Sequence, residues 1–245
     1  MALATHGPLY AWIASSSSTE PSNELVQRAL KAIRTHLGMD AAYVSEFIGS
    51  RAVLRQVDAP GLDHLIKVGD SYALDDIYLR HVIEGRLAQF VPDTSLEAVS
   101  AALPSMHGAQ IGKHVSVPIR LPDGTVHGMF CCFGFGVDAS LRERDVQVVK
   151  VLADIAAFAI ARDLEAASAE EAKRDRIASA IEREEYAVVY QPIWKVSTQR
   201  LLGFEALARF SRPPMRSPDL WFAEAAEVGL RGALELAVAR TALSR

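Results

Sequence analysis

Apolar and polar positions along the chain follow two alternating periods. "ELVQRALKAIRTHLG" sets Leu25, Ala29, Leu30, Ile33 and Leu37 on one helical stripe. Gly38 follows where a helix C-terminus accepts a left-handed residue. "AAYVSEF" and "AVLRQVD" predict strands, and "DDIYLRHVIEGRL" predicts a short helix whose leading acids suit the helix dipole. "LAQFVPDT" predicts a strand ended by Pro92, and "AVSAALPSMHGAQIG" reads as irregular or partly helical.

The clearest pattern is "HVSVPIRLPDGTVHGMFCCFGF", two strands flanking Pro122-Asp123-Gly124. Proline fixes one turn dihedral and glycine accepts a positive φ, so a hairpin is expected. From about Leu141 the period becomes helical, with Val148, Leu152, Ile155 and Ala159 stepping by four, three and four. No proline or glycine interrupts it before Pro192, and a helix over 141–184 would be about 65 Å long. Its second half, "EAASAEEAKRDRIASAIEREE", is alanine-rich and charged, as an exposed connector or a paired helix would be. "YQPIWKVSTQRLLGFEALARF" then predicts two strands around a turn, followed by a helical segment.

This order predicts an α+β domain with a central antiparallel sheet, a long helical linker, and the beginning of a second domain. The expected boundaries are a flexible leader over 1–23, a first domain over 24–162, a linker over 163–185 and a last segment over 186–245.

Composition narrows the function classes. Half of the 245 residues are hydrophobic, which supplies a packed core. A formal net charge of -4 gives no electrostatic footprint for nucleic acid or an anionic membrane. No apolar run approaches the roughly 20 residues of a membrane span, and the N-terminus lacks the pattern of a secretory signal, so a cytoplasmic location is expected. The two cysteines, Cys131 and Cys132, are adjacent in a predicted strand, which allows neither zinc spacing nor a disulfide framework. Alternation places one of them in the core as a small residue.

Residues 24–162 resemble a GAF domain, a small sensory module. The resemblance is carried by "AIRTHLGMDAAYVSEF", "VPDT", "SVPIRLPDGTVHGMFCCFGF" and "LRERDVQVVKVLADIAAFAIA". It implies a small-molecule pocket between sheet and loops, and a homodimer through the terminal and linker helices. The signature of cyclic-nucleotide-binding GAF domains is absent, as is the bilin-attaching Cys-His pair, so the ligand is left open. His81, His107, His114 and His127 are candidate haem ligands by residue type alone, and are expected instead to be surface or hydrogen-bonded core residues. Phe90, Phe130 and Phe133 are expected in the core.

The last segment is similar to the first part of an EAL domain, the cyclic-di-GMP phosphodiesterase family built on a (β/α)8 barrel. "YQPI", "GFEALARF" and "SPDLWFAEAAEVGLRGALELAVARTAL" follow in order. Strand alternation puts Gly203, Glu205, Leu207 and Arg209 on one face. The opposite face, Leu202, Phe204, Ala206, Ala208 and Phe210, is wholly apolar. The resemblance implies that Glu205 is a ligand for Mg²⁺ or Mn²⁺, that Arg209 contacts phosphate, and that Gln191 and Leu207 line the substrate cradle. A hard carboxylate oxygen suits such a cation, and a guanidinium suits a phosphate oxygen. The family's later Asn, Glu and Asp-Asp ligands and its lysine find no counterpart in this sequence, and one carboxylate does not assemble two-metal catalysis. The chain alone is therefore expected to be inactive, with only the first two barrel units present and their edges exposed. The alternative is a ligand-binding and dimerisation module with no enzymatic role.

Overall fold

A computed structural model of the chain describes residues 21–96, 111–138 and 142–244. It divides into two compact units, one ending at Asp163 and one beginning at Leu164.

The first unit is built on a six-stranded antiparallel sheet of order β3-β2-β1-β6-β5-β4. The strands are β1 (Ala41–Ile48), β2 (Arg51–Asp58), β3 (Ser71–Ala73), β4 (Phe90–Val91), β5 (Lys113–Arg120) and β6 (Val126–Gly134). Helix α1 (Ser22–His36) takes in the last two residues of the expected leader. It buries Val26, Ala29, Leu30, Ala32 and Ile33, so Val26 and Ala32 join the predicted stripe while Leu25 packs at its edge. Gly38 takes φ of 57°, and the Met39 amide donates to the Arg34 carbonyl at 2.9 Å, closing the helix in a Schellman arrangement.

Two local expectations change. "DDIYLRHVIEGRL" divides into a 3₁₀ turn, Leu74–Asp76, and a short helix α2, Tyr78–Ile83. "LAQFVPDT" contributes only the two residues of β4. Most of "AVSAALPSMHGAQIG", including His107, lies outside the described residues, as does most of the leader.

Both faces of the sheet are covered. On one, α1 and the first half of α3 (Glu143–Glu182) pack on Ala42, Val44, Val115, Val117, Ile119, Phe130 and Cys132. On the other, Ala52, Ile77, Leu79, Val82, Leu87, Met129 and Cys131 form a second cluster under α2. This corrects the cysteine reading. Cys131 and Cys132 are both fully buried, on opposite faces, because a strand covered on two sides has no solvent face.

Gly128 is fixed by the neighbouring strand. β1 carries a register irregularity between Val44 and Ser45 where it pairs with β2. On its other side the Ser45 carbonyl oxygen occupies the space a Cβ at Gly128 would fill. A methyl there cannot be accommodated without moving backbone.

The second unit is an antiparallel hairpin with two following helices. β7 (Tyr186–Lys195) and β8 (Arg200–Phe210) pair over their whole length, and α4 (Pro218–Glu227) and α5 (Arg231–Leu243) follow. The order is ββαα. The two strands are antiparallel, and a barrel is not shown by the described residues. The core lies at one end of the hairpin. Trp221, 0% exposed, stacks on Phe210 at 4.7 Å between ring centres, and Phe210 meets Tyr186 at 6.0 Å. The Arg216 guanidinium lies 4.5 Å from the opposing Trp221 ring centre and pairs with buried Glu224, which also accepts from Arg176 at 2.5 Å. A carboxylate this buried is offset only by such paired cations.

Gly128→Ala is expected to lower stability by roughly 1–3 kcal/mol or more through forced backbone displacement. A fall in the urea midpoint checks this; an unchanged midpoint would show that β1 moves freely.

Candidate functional site

The strongest candidate in the first unit is a polar strip on the sheet face under α2. Strand pairing sets Tyr43 and Ser116 opposite Cys131, and His114 opposite Phe133. The i, i+2 spacing of His114 and Ser116 turns both to this face, and Tyr43 and Ser45 follow the same rule on β1. The Ser116 hydroxyl lies 3.0 Å from His114 Nε2 and 3.3 Å from Cys131 Sγ, and Tyr43 hydrogen-bonds the same thiol. Ser45 Oγ is fully buried and has no hydrogen-bond partner, as is true of His81 Nδ1. A buried hydroxyl without a partner costs about 1–3 kcal/mol, so it marks a place where a ligand or water would be welcome.

The strip is electrically neutral. Burial lowers the His114 pKa to about 4, so the ring is uncharged at neutral pH. Burial pushes the Cys131 thiol up to about 12, partly offset by the Ser116 and Tyr43 hydrogen bonds. Desolvation raises Cys132 and Tyr43 as well, so neither supplies an anion. These groups can exchange hydrogen bonds with a ligand, and they offer neither a thiolate nucleophile nor a fixed charge.

The histidines separate in this frame. His114 is the hydrogen-bonded core residue that was expected. His81 is half-buried on α2, its pKa lowered chiefly by desolvation. His127 is half-buried on β6. Among the described residues no group of three His, Cys, Asp or Glu could hold a metal ion. Phe130 and Phe133 are core residues, and Phe90 packs at the edge of the first cluster. Tyr43, Ser45 and Ser116 went unnoticed in the sequence, although the polar alternation in "YVS" and "HVS" carried the signal.

In the second unit, Gln191 sits directly opposite Glu205, Val189 opposite Leu207 and Ala187 opposite Arg209. Gln191, Glu205 and Arg209 are exposed, and Leu207 is half-buried. One Arg209 Nη donates to the Ala208 carbonyl at 2.8 Å. The other face is covered by α4 and α5 only at its Tyr186–Phe210 end; Tyr190 reaches α5 through a 2.8 Å hydrogen bond to the Ala242 carbonyl. Leu202 and Phe204, expected under helices, are 65% and 58% exposed. Glu205 is the single carboxylate on its face of the hairpin, so the residues present do not complete a site for Mg²⁺ or Mn²⁺.

An antiparallel sheet flanked on both faces by helices, with a neutral polar strip buried on one of them, defines the architecture of a small sensory module. The GAF domain family matches residues 19–161, more than half of the chain, and the chain belongs to that family. No curated protein matches it. Solved structures agree in fold at low identity. The GAF domain of the Acinetobacter phosphoenolpyruvate-protein phosphotransferase is 14% identical with a TM-score of 0.52, covering 63% of this chain and 91% of that one. A far-red absorbing protein in its dark state with bound biliverdin IXa is 16% identical with a TM-score of 0.51, covering 63% and 98%. A bacteriophytochrome from the photosynthetic bacterium R. palustris is 15% identical with a TM-score of 0.53, covering 72% and 41%. No described helix is long and apolar enough to cross a membrane.

The buried histidine predicts a pH profile. Its folded pKa lies below the unfolded value of about 6.5, so the unfolded state binds the extra proton between about pH 6.5 and 4. Stability is full above pH 6.5 and falls as pH drops toward 4, by on the order of 3 kcal/mol for this group. The difference between wild-type and His114→Gln unfolding curves should change across that window and be flat above it. A pH-independent difference would show that His114 titrates normally.

Proposed function

We propose that the chain is the sensory region of a signalling protein that regulates an EAL-type cyclic-di-GMP phosphodiesterase. The GAF unit would capture a small molecule on the strip of Tyr43, Ser45, His114, Ser116 and Cys131. The observation carrying this part is the fully buried, unpartnered Ser45 hydroxyl beside a neutral hydrogen-bonded cluster. The biliverdin bound by one relative of like fold illustrates that such a unit can hold a large conjugated ligand; the ligand here is open.

The phosphodiesterase part of the reading is supported by sequence. "YQPI" and "GFEALARF" lie on paired strands with Gln191 facing Glu205, and Leu207 and Arg209 share the Glu205 face. In a complete EAL domain Glu205 would take Mg²⁺ or Mn²⁺, with Arg209, Gln191 and Leu207 at the dinucleotide. The boundaries proposed are a leader over 1–23, the sensor over 24–162, a helical linker over 163–185 and the EAL portion over 186–245. The 245-residue chain should show no metal-dependent hydrolysis of cyclic-di-GMP above buffer, because one carboxylate cannot hold two metal ions. Release of the linear dinucleotide by the purified chain would refute the expected inactivity.

A second reading, a ligand-binding and dimerisation module without enzymatic role, is favoured by the exposure of α3. Val151 and Phe158 are 55% and 72% exposed, and Val148 and Ile155 are half-buried beside them. Their spacing of three, four and three is the seam of a paired helix. Both readings place a homodimer contact here. Phe158→Glu is expected to weaken self-association about tenfold or more, since a buried aromatic seam residue contributes on the order of 1.5–3 kcal/mol. Sedimentation equilibrium on wild type and variant measures it, and equal constants would exclude this seam.

A further inference from the structure

Helix α1 has no cap of its own. The residue before it is Pro21, which offers no side-chain acceptor where Ser, Thr, Asp or Asn usually stands. The acceptor comes from the other end of the unit. The Asp163 carboxylate of α3, 141 residues away in sequence, accepts from the Ser22 hydroxyl and from the Ser22 backbone N–H. The Ser22 hydroxyl is the chief cause holding its carboxyl below the usual carboxylate range, so it stays an anion facing the positive end of the α1 dipole. Ser22 itself is buried.

Asp163 stands at a change of environment along α3. Before it, Leu152, Ala153 and Ala156 are buried in one cluster with Ala29, Leu30 and Ile33 of α1. From it onward, every residue over 163–172 is exposed. A helix wet on all sides is held only by its own backbone and by i,i+4 pairs such as Glu170 with Arg174. The carboxylate thus ties α1 to α3 at the point where α3 leaves the first unit.

We infer that Asp163 is a catch between the sensory unit and the linker helix: α3 holds the first turn of α1 closed only while α3 stays helical through residue 163. The coupling runs both ways, as a linkage between two sites must. A change that loosens α1 weakens the start of the exposed stretch of α3, and a break in that stretch releases residues 22–25. A cap supplied by α1 itself would not carry this dependence. The inference rests on neither the ligand strip nor the phosphodiesterase reading, and the contact lies wholly within the first unit.

The test is amide hydrogen exchange on the full 245-residue chain, read at Glu24 and Leu25. Their N–H groups close the first turn onto the Pro21 carbonyl at 3.1 Å. Asp163→Ala should speed this exchange about fivefold, the loss of one cap, although alanine is the better helix former within α3. The Ser22→Ala, Asp163→Ala double variant should exchange no faster than Asp163→Ala alone. Ala166→Pro falls on the exposed stretch; its ring strikes the Arg162 carbonyl and removes the N–H that would donate to it, which disrupts α3 around Asp163. It should speed exchange at Glu24 and Leu25 by a similar factor in the otherwise wild-type chain, and not at all in the Asp163→Ala chain. Slow exchange across β5 and β6 confirms that each variant is folded, and Ala166→Gly with Ala167→Gly replaces the proline variant if that chain does not fold. An unchanged rate in Asp163→Ala, an unchanged rate in Ala166→Pro, or an equal rise from Ala166→Pro with and without Asp163 would each overturn the inference.

Discussion

Burial of both faces of the six-stranded sheet is the constraint on which the sensory unit depends. A sheet with one wet face tolerates polar residues at every second position, whereas here each inward polar group must find a partner inside. That requirement explains the grouping of Tyr43, Ser116, His114 and Cys131 into one hydrogen-bonded strip. It also singles out Ser45, whose hydroxyl is buried without a partner. The same constraint forces the backbone of β1 against β6, and glycine at 128 is the side-chain choice that fits.

The second unit obeys the opposite condition. Its sheet is covered at one end only, where Trp221, Phe210, Tyr186 and the Arg216–Glu224–Arg176 group lock the hairpin to α4. Beyond that end the strands keep exposed apolar side chains, and among the described residues they pair only with each other.

Chemistry follows from the two environments. In the first unit, low dielectric neutralises every titratable group on the strip, so recognition there works by hydrogen-bond direction and shape. In the second, Glu205 and Arg209 are exposed on one face of β8. Burial of one polar strip and exposure of the other thus separate the two environments.

Much of this was legible in sequence. The apolar spacing of α1, the Pro122-Asp123-Gly124 hairpin and the uninterrupted run of α3 are local properties, set by side-chain period and turn chemistry. The GAF resemblance rested on the same residues. The alternation of β8 placed Glu205, Leu207 and Arg209 on one face without any structure, because a strand has a period of two. What tertiary structure decided was coverage. Sequence alternation assigns residues to faces but does not say which faces another layer will hide. Adjacent Cys131 and Cys132 are both buried because two layers flank β6, and Leu202 and Phe204 are exposed because α4 and α5 reach only one end of β8. Burial is a property of distant segments meeting, and no local pattern contains it.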